Sequence, residues 1–93
     1  MKIAEGYAVR KIAGDYLLIP YGQKIAEQKA ILTFTESSGK LLMLLASGDY
    51  SVKDIVDILK NNRDEYGISE EMDIEAEVDR FTNHLYEEGI ITK

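Results

Sequence analysis

The chain has 93 residues, 45% of them apolar, and a formal net charge of −6. A chain this short folds as a single domain, 1–93, burying about two-thirds of its unfolded surface, which leaves room for one modest core and little for a deep catalytic cavity. The absence of cysteine excludes a disulfide framework, a thiolate nucleophile and a cysteine metal site.

In chain order, "YAVRKI" (7–12) partly alternates and carries aromatic and β-branched residues, so it reads as a strand. "AGD" turns the chain at Gly14 and Asp15, and "YLLIP" (16–20) resumes as a second strand. Pro20 has no amide to give to a ladder and belongs at a strand end or an edge. A polar stretch, "YGQKIAEQK", in which residues 23–29 could alternatively form a helical turn, leads to a third strand, "AILTF" (30–34). That strand runs almost directly into an apolar helix, and little else in so short a chain remains to cover its edge.

The period then changes. In "TESSGKLLMLLASG", Thr35, Ser37 or Ser38 can cap a first helix and Gly48 can stop it. Leu41 to Leu45 are five consecutive apolar residues, which cannot share one face, so this helix is expected to be covered on more than one side. "SVKDIVDILKNN" starts a second helix at Ser51, with Asp54 completing a near-match to a capping box and Val52, Ile55, Val56 and Leu59 on one stripe. After a loop around Gly67, a third helix is expected from about Met72 to Glu88, with Ile74, Val78, Phe81 and Leu85 buried. Beside that stripe lie Glu75, Asp79, Thr82 and Tyr86 at the same spacing. Gly89 ends the helix and "IIT" adds an extended tail. The expected fold is α+β: a small three-stranded antiparallel sheet followed by three helices, in a winged helix-turn-helix-like arrangement.

Charge is unevenly distributed. Residues 1–50 hold six basic and five acidic side chains; residues 51–93 hold five and twelve, and the eight carboxylates between Asp64 and Asp79 are not interrupted by a lysine or arginine. Such a field repels phosphate backbones and favours cationic partners. Arg80 amid carboxylates and a tail whose one basic residue is Lys93 make a poor nucleic-acid reader. No apolar run reaches the roughly 18 residues of a membrane span, and "MKIAEGYAVRK" has no apolar export-signal core; a soluble cytoplasmic protein is expected.

Catalytic chemistry finds little support. His84 is the sole histidine, Ser37 and Ser38 have no nucleophile-elbow context, the acidic run lacks the spacing of a calcium loop, and "SSGK" lacks the glycines of a phosphate loop. No catalytic residue, cofactor or metal is assigned. Peptide capture fits better: a short edge strand can accept a partner strand, its backbone giving a general hold and neighbouring side chains giving selectivity.

The pieces "YAVRKIAGDYLLI", "AILTFTESSGKLLMLL", "SVKDIVDIL" and "VDRFTNHLYEEGII", in this order and spacing, resemble the PqqD-like family of precursor-recognition proteins for ribosomally made, modified peptides. The likeness runs from about Tyr7 to Ile91, and Asp79, Phe81, Leu85, Gly89 and Ile90 carry the helix ending typical of the family. It departs in two places: "LTFT" stands where the family commonly ends its third strand in asparagine, and leucine or methionine replaces the usual aromatic of the first helix. The resemblance implies that a leader peptide adds as a strand beside Ile31, Leu32, Thr33 and Phe34, against Glu75, Asp79, Thr82 and Tyr86 of the last helix. It also implies delivery of that peptide, basic in character if it meets the acidic helix, to a modifying enzyme, commonly a radical SAM protein. The alternatives left open are a structural or homodimerising module that uses the same edge and, behind it, a DNA-binding winged helix.

Overall fold

A computed structural model describes all 93 residues. Nine elements follow one another: β1 (Lys2–Ile3), β2 (Tyr7–Ile12), β3 (Asp15–Pro20), α1 (Gln23–Ala26), β4 (Leu32–Phe34), α2 (Glu36–Ala46), α3 (Val52–Asn61), α4 (Ile74–Glu87) and β5 (Ile91–Thr92). The three-stranded antiparallel sheet has the order β2-β3-β4, and helices α2, α3 and α4 follow it, as the winged helix-turn-helix-like reading requires. The tail is a strand, as expected, but its partner is β1, which the sequence reading did not assign: Lys2 pairs with Thr92 and Ile3 with Ile91. Two residues carry too little periodicity to announce a strand.

β2 and β3 form a hairpin in which Ile12 pairs with Asp15. The two loop residues, Ala13 (φ 52) and Gly14 (φ 87), are both left-handed, as the twist-matched two-residue turn demands. Pro20 ends β3, where its missing amide costs nothing to the ladder. Alternation along the hairpin sends Tyr7, Val9, Tyr16 and Leu18 to the helix-facing side, where all four are buried. Ala8, Arg10, Leu17 and Ile19 face away, and no helix covers them completely.

Each long helix begins on a side-chain cap. Thr35, rather than Ser37 or Ser38, caps α2, its hydroxyl accepting from the Ser38 amide at 3.4 Å. Ser51 and Asp54 make both bonds of the capping box, at 3.1 and 3.2 Å, so aspartate fills the role usually taken by glutamate. Asp73 caps α4, which therefore starts two residues later than the periodicity suggests, accepting from the Ala76 amide at 3.1 Å. Gly89 (φ 75) stops it in the left-handed conformation that suits glycine after a helix.

The core lies between the sheet and the helices. Leu41, Leu42 and Leu45 of α2 are buried and Leu44 packs against the core, so the run of five is covered on more than one face, with Met43 alone exposed. Ile55, Val56 and Leu59 come from α3, and Ile74, Val78 and Leu85 from α4; Val52 and Phe81, expected with them, are exposed and half-buried respectively. Gly39 lets α2 approach β3: a Cβ there would stand 2.1 Å from Cγ of Tyr16. No helix is long and apolar enough to cross a membrane.

Candidate functional site

The third strand is shorter than its sequence implied. Ala30 and Ile31 precede the ladder, and only Leu32, Thr33 and Phe34 pair, opposite Leu18, Leu17 and Tyr16. β3 occupies one side of β4 and no strand occupies the other. In an antiparallel ladder, successive residues turn their amide and carbonyl alternately inward and outward. Either Thr33, or Leu32 and Phe34, therefore presents free backbone groups at the open side. Side chains alternate too: Leu32 and Phe34 share the helix-facing side with Leu18 and Tyr16, while Thr33 points the other way with Leu17. Phe34 packs on the core, but Leu32 and Ile31 remain exposed.

β2 is the opposite edge of the sheet. Arg10 and Lys11 lie along it, exposed, the sort of charge that discourages another strand from pairing. Between Ala30 and Phe34 there is no charged residue. Of the two edges, β4 is the unguarded one.

The helical half of the expected site is distributed differently. Relative to the stripe Ile74, Val78, Phe81 and Leu85, the positions one residue later and one residue earlier fall on opposite flanks of α4. Glu75, Asp79, Thr82 and Tyr86 are the later set, and this flank turns toward α3. Glu75 pairs with Lys60 of α3 at 3.0 Å, and Asp79 lines the cleft that holds Val56, Asp57 and Lys60. Thr82 is buried, and its hydroxyl donates to the Val78 carbonyl at 2.7 Å. Tyr86 is exposed beneath the Lys93 ammonium, 4.7 Å from the ring centre. Thr82 thus has neither surface nor a free hydrogen-bonding proton to offer.

The earlier set, with Glu77 and Arg80, borders an apolar cavity of about 220 Å³. Ser37, Ser38 and Leu41 of α2 close one side, Val78 and Phe81 of α4 another, and Tyr66, Ile68 and Met72 of the α3–α4 connection a third. Ser37 and Ser38, which line it, belong to the first turn of α2, the helix that follows β4. Arg80 and Glu77 form an ion pair at its border, so the net acidity of α4 does not reach this side unopposed. Periodicity gives both flanks equal standing; only the packing of α3 tells them apart.

Burial pushes the Tyr66 hydroxyl above the ordinary tyrosine value of 10.0, with the neighbouring Glu65 carboxylate adding to the effect. No group of three or more His, Cys, Asp or Glu is arranged to hold a metal ion. His84, exposed in the last turn of α4, shares no hydrogen bond with Ser37 or Ser38 in the first turn of α2.

No protein-family model matches the sequence, and no curated protein matches it. Among solved structures, the chain is similar to TbiB1 in complex with the TbiA(beta) leader peptide. The TM-score is 0.69 at 17% identity, over 97% of this chain and 93% of that one. At that identity the likeness establishes a shared fold, and it does so from end to end.

Proposed function

We propose that this chain is a non-catalytic, PqqD-like recognition protein that binds the leader region of a ribosomally made precursor peptide by strand addition to β4. The observation that carries the reading is the open side of β4: an uncharged edge, unpaired on one side, with Ile31 and Leu32 exposed. An incoming strand there gains backbone hydrogen bonds and covers apolar surface at once. The similar solved structure, TbiB1, was captured with a leader peptide, which supports the same occupant for this fold.

The contact surface on α4 is the flank of Glu77, Arg80 and Phe81, which shares a cavity with Ser37, Ser38 and Leu41 of α2. Glu75 and Asp79, turned toward α3, act on a ligand through their field and not by touch. A leader peptide needs a recipient, and the carrier role implies presentation to a modifying enzyme. That this enzyme is a radical SAM protein follows from the family resemblance of the sequence.

The test is amide hydrogen exchange with and without a short peptide encoded beside this gene. Strand addition protects alternate amides among Leu32, Thr33 and Phe34, and shifts the resonances of Phe81. Protection of β2 amides instead, or binding that leaves residues 32–34 unchanged, overturns the reading.

A further inference from the structure

The free side of β2 can be read residue by residue. The Tyr21 amide donates to the Gly6 carbonyl at 2.8 Å, which makes Gly6 and Tyr21 a hydrogen-bonded pair one step beyond Tyr7 and Pro20. Backbone groups alternate from there. Ala8, Arg10 and Ile12 turn theirs toward β3, whereas Tyr7, Val9 and Lys11 turn theirs to the open side. Carried across β3, the same alternation aims the backbone groups of Leu32 and Phe34 inward and the Thr33 amide and carbonyl outward.

The sheet thus has two edges, β2 and β4, each with outward backbone groups. Pairing of one copy's β4 with another copy's β2 is a head-to-tail contact, which grows into an open filament unless the rotation closes a ring. β4 carries no charge between Ala30 and Phe34 to prevent this. Protection falls to β2.

A groove of about 690 Å³ lies along β2, walled in part by Ala4, Tyr7, Val9 and Ala46. Room and apolar surface for an added strand are present there, yet two of the outward groups are already taken. The Tyr7 amide donates to the Ala4 carbonyl at 3.3 Å, and the Arg10 guanidinium donates to the Val9 carbonyl at 2.9 Å. Arg10 lines the same groove and forms no ion pair, in a chain with 17 carboxylate side chains. An exposed guanidinium bonded to a neutral carbonyl replaces bonds that each would make to water, so it adds little to stability. Its effect is to occupy the acceptor and to hold a charge at the groove.

We infer that Arg10 is the guard of β2: by binding the Val9 carbonyl of its own strand it bars β4 of a second copy from pairing there, and leaves β4 as the one accepting edge of the sheet. Lys11 does not duplicate it, because the Lys11 ammonium lies over the Tyr16 ring, 5.2 Å from its centre, on the helix-facing side. Removing the Arg10 side chain frees the Val9 carbonyl and gives Val9 and Lys11 an unbroken outward row. This role for Arg10 needs the open side of β4 but not a leader peptide.

Arg10→Thr, which puts a strand-favouring residue at this exposed position, tests the role in sedimentation velocity over a concentration series. The wild type stays no larger than a dimer. The variant grows past two chains per particle as concentration rises, and amide exchange at Val9 and Lys11 slows as it does. Adding Leu32→Lys, which charges the other edge, returns the protein to its wild-type size. A variant that stays as small as the wild type overturns the role of Arg10. So does growth that survives Leu32→Lys, or that leaves Val9 and Lys11 exchanging unchanged, since association then uses another surface. Protection of Thr33 by a leader peptide is measured on the wild type, and none of these results alters it.

Discussion

Leu18 and Leu32 stand directly opposite each other across the β3–β4 ladder, on the same face of the sheet, yet Leu18 is 0% exposed and Leu32 is 42% exposed. Two identical side chains in register differ only in what lies beyond them. The helices cover the inner strand and stop short of the edge strand. The outcome of substitution should differ accordingly. Leu18→Ala removes a fully buried side chain and is expected to cost about 2–5 kcal/mol in a denaturant melt. Leu32→Lys leaves stability within about 0.5 kcal/mol but sharply weakens a bound peptide, because it puts a charge on the open edge.

The two flanks of α4 are separable by the same logic. Phe81→Ala should weaken peptide binding by more than Glu75→Ala or Asp79→Ala, measured by titration calorimetry at one salt concentration. Glu75 is already engaged with Lys60, and exposed pairs of this kind are worth about 0–1 kcal/mol. The reverse order of effects would return the binding surface to the α3 side of the helix.

Much of this was legible in the sequence, and the limits have physical causes. The capping box at Ser51 and Asp54 and the stripe of Ile74, Val78 and Leu85 were readable because they are local or periodic. The pairing of Lys2–Ile3 with Ile91–Thr92 was not, since it joins the two ends of the chain through residues too few to show a period. The flank of α4 that faces α2 was hidden for another reason. A helix with one buried stripe has two polar shoulders, and local spacing treats them alike. Which shoulder borders the cavity depends on how α2 and the α3–α4 connection pack against α4, a tertiary fact. The cavity behind Tyr66 and Met72 lay outside any periodic segment and had no local signal.

Ala13 occupies a left-handed position, φ 52, in the β2–β3 turn. A residue with a Cβ is strained there by roughly 1–2 kcal/mol, and asparagine followed by glycine is the pair best suited to this turn. Ala13→Asn should therefore raise stability, by somewhat less than about 1 kcal/mol, visible as a higher melting temperature with unchanged peptide affinity.

Gly39→Ala sets two effects against each other. Within a helix, alanine is favoured over glycine by about 0.8–1.0 kcal/mol. Here the new methyl would meet Cγ, Cβ and Cδ2 of Tyr16 at 2.1–2.5 Å. These atoms belong to the root of a buried ring and not to a flexible tip, so the helix or the strand has to shift. Overpacking of that kind costs about 1–3 kcal/mol. The net change is expected to be a loss of stability, and because Tyr16 pairs with Phe34 in the ladder, the displacement should also weaken binding at β4. A melting temperature equal to or above that of the wild type would show that α2 can withdraw freely from the sheet.

Tyr66 gives the fold a pH signature. Its hydroxyl is held above the ordinary value of 10.0, first by burial and then by the Glu65 carboxylate. Folding therefore favours the protonated phenol. The resulting stabilisation is fully present below the unfolded-state pKa, near 10, and is lost as pH rises through the higher folded-state pKa. In alkaline unfolding, wild type and Tyr66→Phe should thus lose stability with different slopes above pH 10, since the phenylalanine variant has no proton to give up at this site.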